Sequence, residues 1–270
     1  MKQLKSRSQD LRSLFENSIT IEYVAEPLKA VKADADMREI INWMELQDFD
    51  VVGVETEDSI TGYVERSTLR ENLRENQSGK CSDYQQVFHP QELIAMSTPL
   101  MKLLPILQQK SRLFVLDCNN VSGIITCGDL QKAPVRMLLF GLVTLLEMNL
   151  LRLVRLYYPQ DSWQKVLKPD RLEAAQKLWR ESQERNEATD LLDYLQFCDK
   201  RELVLNQPEL FDKLGLKSKR SGERFLKSAE NLRNRLAHAQ NLVNGSSWQD
   251  LISLAEGLER LLIHCEEIES

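Results

Sequence analysis

The stretch NLRNRLAHAQ, residues 231–240, places an arginine, an amide and a histidine within six positions: Arg233, Asn234 and His238. An imidazole can take up or release a proton near neutral pH, and such general acid–base help is typically worth about 10²–10⁴ in rate. A guanidinium binds two phosphate oxygens at once and stabilises developing negative charge. Because RNA carries its own nucleophile, the 2′-hydroxyl, these three side chains would suffice for cleavage without a metal.

Helical geometry decides which way these side chains point. At 100° per residue, the spacing predicts one core face, formed by Phe225, Ala229, Leu232, Leu236 and Ala239. Asn234 and His238 fall on the opposite side, so His238 is either a solvated polar residue or faces another surface. Arg233 and His238 lie about 140° apart on an ideal helix. They converge only if the helix end distorts or if a second copy of the chain supplies the partner group, as a symmetric dimer would.

Positive charge is concentrated in the same segment, although the whole chain has a net charge of −6. Six residues beside the arginine and histidine are candidates for contacting RNA phosphates: Lys217, Lys219, Arg220, Arg224, Lys227 and Arg235. A run of charges is usually only a solvated helix face, so the run alone is weak evidence. Its coincidence with His238 is what favours a local nucleic-acid contact.

A second candidate site lies in GIITCGDL, residues 123–130. Thr126 ends a predicted strand and Asp129 opens the next helix, and with Gly123 and Gly128 they form a candidate nucleotide site. A helix N-terminus offers N–H groups and a partial positive charge to phosphate, a threonine hydroxyl can add a hydrogen bond, and an aspartate can accept both ribose hydroxyls. Asp129 is equally suited to be a simple N-terminal cap.

An internal repeat would position this second site. The first copy reads DMREIINWMELQDFDVVGVETEDSITGYVERSTLRE and the second TPLMKLLPILQQKSRLFVLDCNNVSGIITCGDLQKA. Each copy predicts a helix, a strand, a polar turn, a strand containing one glycine, and a new helix. The strand glycines, Gly62 and Gly123, are 61 positions apart, which gives the length of the repeat.

From Gly128 onward the pattern is helical, with a long apolar segment interrupted by Pro134 and stopped near Pro159. No strand pattern follows Thr126, so we predict an all-α bundle of four or five helices. The apolar run between Arg136 and Arg152 is shorter than the roughly 20 residues that span a membrane, and it contains Glu147 and Asn149. We therefore expect a helix buried in protein, and no membrane.

The fold class that follows is an α+β region of tandem helix–strand–strand–helix repeats followed by an all-α bundle. The predicted divisions are an N-terminal helical extension at 1–17, the repeats at 18–132 and the helical domain at 133–270. With 42% hydrophobic residues the chain can build a sizeable core. Its five cysteines have neither zinc spacing nor an even count. We predict no metal site, a reducing, cytoplasmic location and no signal peptide.

The doubled pattern that ends in GIITCGDL resembles a pair of CBS motifs, a Bateman module, over about the first 130 residues. The resemblance implies that the copies pack with pseudo-twofold symmetry and that the clefts between them bind adenosine-containing ligands. The threonine and aspartate of the family pattern fall on Thr126 and Asp129. The first copy has GYVERSTL instead, which places Glu65 and Thr68 there. Since a carboxylate repels phosphate, the resemblance implies at most one well-formed nucleotide site.

The segment RNRLAH resembles the motif of the HEPN superfamily, an arginine followed after four to six residues by a histidine, with a polar residue directly after the arginine. The resemblance covers residues from about 135 to 270. It implies a dimeric, metal-independent ribonuclease whose composite site uses Arg233 and His238 of both subunits, with Asn234 orienting the phosphate. Some members of the superfamily are not nucleases.

Two functions are compatible with these patterns. The first is an endoribonuclease that acts as a homodimer on RNA, needs no cofactor for catalysis and is regulated by an adenine nucleotide or related adenosine ligand. The helix that starts at the ligand site would bias the dimer by about 1–3 kcal/mol, and the resemblances suggest a role in stress response, phage defence or a toxin–antitoxin system. The alternative is a non-catalytic, adenine-nucleotide-sensing dimer whose basic helix binds an acidic partner.

Overall fold

The chain folds into two compact units, seen in a computed structural model that describes residues 8–75, 78–187 and 189–268. The repeat unit comprises Phe15–Val135, and the helical unit comprises the residues up to Leu14 together with Arg136–Ser270. The sequence predicts domain boundaries between residues 17 and 18 and between residues 132 and 133. Residues 1–7 of the predicted N-terminal extension lie outside the described residues.

The N-terminal helix α1 (Ser8–Asn17) contributes its first turns to the helical unit. The side chain of Leu11 lies so close to Gly141 that a Cβ on that glycine would stand 2.9 Å from it. Arg12 lies 3.9 Å from the carboxylate of Glu259. The N-terminal segment and the C-terminal half of the chain are therefore parts of one folded body.

The described part of the repeat unit contains two small sheets flanked by helices. Its elements are β1 (Glu26–Pro27), β2 (Ala30–Lys32), α2 (Met37–Gln47), β3 (Val51–Thr56), β4 (Ser59–Glu65), α3 (Arg66–Arg74), β5 (Leu93–Ala95), α4 (Leu103–Leu107), β6 (Arg112–Asp117) and β7 (Asn120–Thr126). One sheet has the order β2-β3-β4 and the other the order β1-β7-β6-β5. In each, a short strand runs parallel to the first strand of an antiparallel hairpin.

The predicted repeat is confirmed in the strand register. Val54 lies opposite Gly62 in the first hairpin, and Val115 lies opposite Gly123 in the second. In both hairpins the register shifts at the next residue. Because Val54 and Val115 are also 61 residues apart, the two copies share the irregularity as well as the strands.

The strand glycines mark places where another segment approaches the sheet. A Cβ on Gly123 would stand 3.0 Å from the carbonyl oxygen of Glu26, and one on Gly62 would stand 2.4 Å from that of Gln86. Glu26 belongs to β1, which pairs with β7. The segment before the first copy thus completes the sheet of the second copy.

Local sequence explains the ends of the first repeat's elements. Asp36 caps α2, its carboxylate accepting the backbone N–H of Arg38 at 2.8 Å. The turn between β3 and β4 places Glu57 and Asp58 at φ 49° and 61°, as a two-residue hairpin turn requires. The core beneath is formed mainly by α2 and the hairpin: Met37, Ile41, Met44, Val52, Val54 and Val64.

The helical unit contains α5 (Ala133–Tyr157), α6 (Pro169–Glu184), α7 (Phe197–Leu205), α8 (Pro208–Lys213), α9 (Lys219–Ala237) and α10 (Trp248–Glu267). In the described part of the chain no strand follows Thr126, as predicted. Among the described residues of this unit, six α-helices from α5 to α10 stand where four or five are predicted, because shorter helices break up the predicted runs. α5 starts at Ala133 rather than Gly128, so Pro134 lies in its first turn, where proline is tolerated.

Helix α5 is 25 residues long, with a mean hydropathy of 1.8 over its most apolar 18 residues. It alone among the described helices has the length and composition to cross a membrane, and 56% of that window is buried inside the protein. Nine apolar residues of α5 are at most 3% exposed: Val135, Leu138, Leu139, Leu142, Val143, Leu146, Leu150, Leu153 and Val154.

Candidate functional sites

Thr126 and Asp129 lie together at the end of β7. Thr126 precedes a short 3-10 helix, Cys127–Gln131, in which Asp129 is the third residue. One oxygen of the Asp129 carboxylate accepts the backbone N–H of Thr126 at 2.7 Å and its hydroxyl at 3.1 Å. The N-cap residue is therefore Thr126 and not Asp129, and Asp129 binds it from the third position of the turn. Asp129 is 8% exposed.

The second oxygen of Asp129 is bound by Lys132. The Lys132 ammonium lies 2.9 Å from Asp129, contacts the carboxylate of Glu26, and donates to the carbonyl oxygen of Val24 at 2.6 Å. Burial lowers the pKa of Lys132, but the hydrogen bonds to Glu26 and Asp129 outweigh it and raise the pKa above its ordinary value. A ribose that used Asp129 would have to share it with this lysine.

In the first copy, Glu65 occupies the position that Thr126 has in the second. Glu65 ends β4 and precedes α3, as Thr126 ends β7 and precedes its 3-10 turn. Its carboxylate forms an ion pair with Arg112, and Arg112 is the strand partner of Thr126. The two equivalent positions are thus linked through one arginine, which was not among the predicted site residues.

Aromatic rings surround this arginine. The guanidinium carbon lies 5.2 Å from the ring centre of Tyr63 and 5.8 Å from that of Phe114, distances at which a cation is attracted to a ring face. Burial lowers the pKa of Arg112, and the hydrogen bonds to Glu65 and Tyr63 raise it further than burial lowers it. The Nε atom of Arg112 is buried without a hydrogen-bond partner in the described part of the chain.

The glycines predicted at the nucleotide site have different surroundings. Gly123 faces β1, as described above, whereas the space beside Gly128 is open except for the Thr126 hydroxyl, 3.4 Å from where a Cβ would stand. Cys127 contacts the carbonyl oxygen of Leu107, and burial raises the pKa of its thiol. Gly128 is therefore the glycine that leaves room beside Thr126.

In the helical unit, α9 carries the arginine, the amide and the histidine. Its buried residues are Gly222, Leu226, Ala229 and Leu232. The predicted core face is confirmed for Ala229 and Leu232, while Phe225 and Leu236 are half-buried. It is wrong for Ala239, which is exposed and has a φ of 51°. The chain has already left the helix there, so helical spacing no longer applies.

His238 is the residue at which the helix ends. Its φ and ψ are −102° and 15°, and its backbone N–H still donates to the carbonyl oxygen of Asn234 at 3.1 Å. Arg233, Asn234 and His238 are all exposed. Arg233 donates to the amide oxygen of Asn234 at 3.2 Å. No hydrogen bond or ion pair joins Arg233 to His238 in the described residues, so within one copy of the chain the structure does not bring the two side chains together.

Two other arginines hold the turn that follows. Arg235 donates to the carbonyl oxygens of Leu242 at 2.8 Å and Asn244 at 2.7 Å. Arg136 donates to the carbonyl oxygen of Gln240 at 3.0 Å. The guanidinium of Arg235, predicted to bind RNA, thus fixes the loop beside His238. Arg136 also fixes this loop. The sequence does not predict that contact, because Arg136 and Gln240 are about one hundred residues apart.

The remaining predicted RNA contacts are exposed: Lys217, Lys219, Arg220, Arg224 and Lys227. Lys219 donates to the side chain of Asn206 at 2.6 Å. Lys217 and Lys219 also line a cavity of about 330 Å³ with Phe211 and Leu216. Among the residues that the structure describes, no three histidine, cysteine, aspartate or glutamate side chains are grouped so that they could hold a metal ion.

No family model and no curated protein matches the chain. Solved structures do. The CBS-pair protein CBSX2 of Arabidopsis thaliana is 17% identical over 44% of this chain and 95% of its own, with a TM-score of 0.38. The structure of CBSX2 in complex with AMP is 17% identical over 44% of this chain and 97% of its own, with a TM-score of 0.37. A hemolysin-like protein containing a CBS domain, from Oenococcus oeni, is 13% identical over 46% of this chain and 96% of its own, with a TM-score of 0.36.

Part of this chain is similar to CBS-pair proteins. The similarity extends over less than half of its residues and has a TM-score below 0.4. Within the chain itself, the shared strand register and the strand glycines define the two copies of the repeat unit.

Proposed function

We propose that the chain is a metal-independent endoribonuclease that acts as a homodimer and is regulated by an adenosine-containing ligand. The observation that carries the proposal is the end of α9, where Arg233, Asn234 and His238 are exposed together and the helix unwinds at the histidine. The exposed lysines and arginines earlier on the same helix supply positive charge for the RNA backbone.

The reaction that these groups support is internal transesterification. The 2′-oxygen attacks the neighbouring phosphorus, the bond from phosphorus to the 5′-oxygen breaks, and a 2′,3′-cyclic phosphate and a 5′-hydroxyl result. One imidazole takes the 2′-hydroxyl proton and a second proton passes to the leaving 5′-oxygen. Arg233 stabilises the charge that develops on the phosphate. A dimer would supply two imidazoles, one for each proton transfer.

Helix α5 offers a surface for that dimer. Met137, Phe140 and Met148 are 63%, 44% and 48% exposed, Thr144 is exposed, and all four fall within an arc of about 80° at helical spacing. Three of the four are large apolar side chains exposed side by side on one helix face, as at many interaction surfaces. Phe140 and Met148 are each four residues from Thr144, so the stripe is self-complementary about Thr144, as a twofold contact requires.

The regulatory site that we propose lies at Thr126 and Asp129 in the repeat unit. The threonine hydroxyl, once it gives up its hydrogen bond to Asp129, and the space beside Gly128 suit a phosphate or another polar group of the ligand. Asp129 suits a ribose once Lys132 yields part of its contact. Arg112, the strand partner of Thr126, is a further cation that a ligand phosphate could meet in the same unit.

Two substitutions test the catalytic part. Arg233→Ala and His238→Ala should each lower the rate of cleavage of a mixed RNA pool by at least about 100-fold, because each removes a group that acts on the reacting phosphate. Both side chains are exposed, so the thermal midpoint should stay unchanged. Cleavage is measured in EDTA, with and without AMP, by the release of 5′-hydroxyl ends.

The matched controls are Arg180→Ala and His264→Ala, which remove an arginine and a histidine elsewhere in the helical unit. They should cleave like the unmodified protein, and an all-2′-deoxy oligonucleotide should not be cleaved by any variant. If the unmodified protein releases no 5′-hydroxyl ends from RNA under any of these conditions, the ribonuclease proposal is wrong.

The alternative, a non-catalytic sensing dimer, also has an observation in its favour. The imidazole of His238 makes no hydrogen bond within the described residues, and the apolar stripe on α5 would serve docking without any chemistry. That function predicts a dimer that binds AMP and never cleaves RNA, so the same assay separates the two.

A further inference from the structure

Three charged side chains meet beside the end of α9, one from each of three helices. Glu147 of α5 receives the ammonium of Lys200, from α7, on one carboxylate oxygen at 2.8 Å. Its other oxygen lies 3.8 Å from Nε of Arg233, from α9. One carboxylate therefore holds two cations, one on each oxygen.

Burial increases from the surface inward along this row. The side chain of Arg233 is 44% exposed, that of Glu147 20% and that of Lys200 7%. A lysine ammonium is almost never buried to this degree without a partner, because its desolvation is costly. Lys200 thus fixes the position of Glu147, and Glu147 can in turn fix the exposed arginine.

The charges of the three residues leave the arginine able to bind an anion. A carboxylate paired with Arg233 alone would cancel the charge of the guanidinium. Because Lys200 supplies a second positive charge, the group of three carries a net charge of +1. The Nε edge of Arg233 faces Glu147, and Nη1 donates to Asn234 at 3.2 Å. In the described part of the chain Nη2 of Arg233 makes no hydrogen bond, so its N–H groups are available to an anion.

We propose that Glu147 and Lys200 form a positioning pair for Arg233, which sets the edge of the guanidinium that meets the RNA phosphate. This inference rests on the proposed ribonuclease function. The pair acts through Arg233 and does not itself touch the substrate. Small misplacements of a catalytic group cost up to about 100-fold in rate, which is the size of effect that such a pair controls.

The test removes both charges and keeps the shapes, in the double variant Glu147→Gln with Lys200→Met. The net charge of the group stays at +1, so KM for RNA should change by less than about twofold, while kcat should fall by about 10- to 100-fold. The single variant Lys200→Met leaves Glu147 to neutralise Arg233, so KM should rise instead. A merely structural ion pair would not divide its effects between kcat and KM in this way.

The chain provides a matched control. Arg201 of α7 and Glu230 of α9 form a second, half-buried ion pair, between two of the same three helices. The double variant Arg201→Met with Glu230→Gln removes an equal charge pair without contact to Arg233, and it should keep both kcat and KM. If the two double variants lose activity alike, or if the first keeps its kcat, the positioning role is wrong.

A second measurement does not depend on cleavage. Hydrogen exchange at Nε of Arg233, followed by NMR and assigned with Arg233→Lys, should be slower in the unmodified protein than in the Glu147→Gln, Lys200→Met variant. Equal exchange rates would overturn the positioning role even in a protein that cuts RNA. Slow exchange in a protein that does not cut RNA would overturn the ribonuclease proposal alone.

Discussion

In the first copy of the repeat, Glu65 provides a negatively charged side chain. It takes the position that Thr126 has in the second copy, and it binds Arg112, the strand partner of Thr126. A ligand phosphate at Thr126 would have to compete with this carboxylate for the arginine. Glu65→Gln should therefore tighten AMP binding by about tenfold, or roughly 1.4 kcal/mol, as measured by isothermal titration calorimetry.

The control for that substitution is Glu55→Gln. Glu55 lies in the same sheet, its side chain is 28% exposed against 26% for Glu65, and it pairs with Lys32 at 3.1 Å. Removing it should leave AMP affinity unchanged. Weaker AMP binding by the Glu65→Gln variant would show that Arg112 needs its carboxylate partner and does not serve the ligand.

At the scale of single residues, the sequence predicts some relations and not others. The equivalence of Glu65 and Thr126 follows from a fixed separation of 61 positions, which the sequence displays. The contacts of Lys200 with Glu147, or of Arg112 with Glu65, join residues 53 and 47 positions apart at irregular spacing. No periodic pattern marks such pairs, so only the folded chain reveals them.

Helix α5 is the element whose partner we expect to be a second copy of itself. If the stripe pairs about a twofold axis at Thr144, that residue faces the same residue of the other copy. Thr144→Cys, placed in a Cys118→Ser background to remove the exposed native thiol, should then form a disulfide-linked dimer under mild oxidation. The product is measured by non-reducing electrophoresis and light scattering.

Leu178→Cys in the same background is the matched control. Leu178 is an apolar residue of α6 with a similar exposure of 43%, so random collisions should cross-link both variants equally. A dimer fraction no larger for Thr144→Cys than for Leu178→Cys would rule out this contact. A protein that is monomeric before oxidation would rule out the dimer itself.

The sequence predicts the long helices and strands of this chain better than the short ones. The hairpins β3–β4 and β6–β7 and the long helices have enough residues for a period to show. The strands β1, β2 and β5 have only two or three residues each, too few for any alternation. The start of α5 was misplaced because the 3-10 turn Cys127–Gln131 precedes it, and composition does not separate such a turn from a first helical turn.

At the scale of the whole molecule, each unit completely buries one thiol, Cys81 in the repeat unit and Cys265 in the helical unit. Burial raises the pKa of Cys81 to about 11 and that of Cys265 to about 12. Unfolded thiols ionise near pH 9, so above that pH the unfolded chain holds fewer protons than the folded chain. Stability should then fall as pH rises, by at most about 1.4 kcal/mol per pH unit for each thiol.

Urea unfolding at pH 8 and at pH 10 measures this effect. Cys81→Ala should flatten the dependence in the transition of the repeat unit and leave that of the helical unit unchanged. Equal stability of the unmodified protein at the two pH values would contradict the burial of these thiols.

The pairing of β1 with β7 has a consequence for the order of assembly. Glu26 and its strand partner Ile124 are 98 residues apart, so during synthesis the earlier segment leaves the ribosome long before its mate exists. The second half of the tandem array cannot be made as a self-sufficient fragment, since its sheet lacks an edge strand that only the beginning of the chain provides. Closure of that edge is a late, long-range event, and such events are slow.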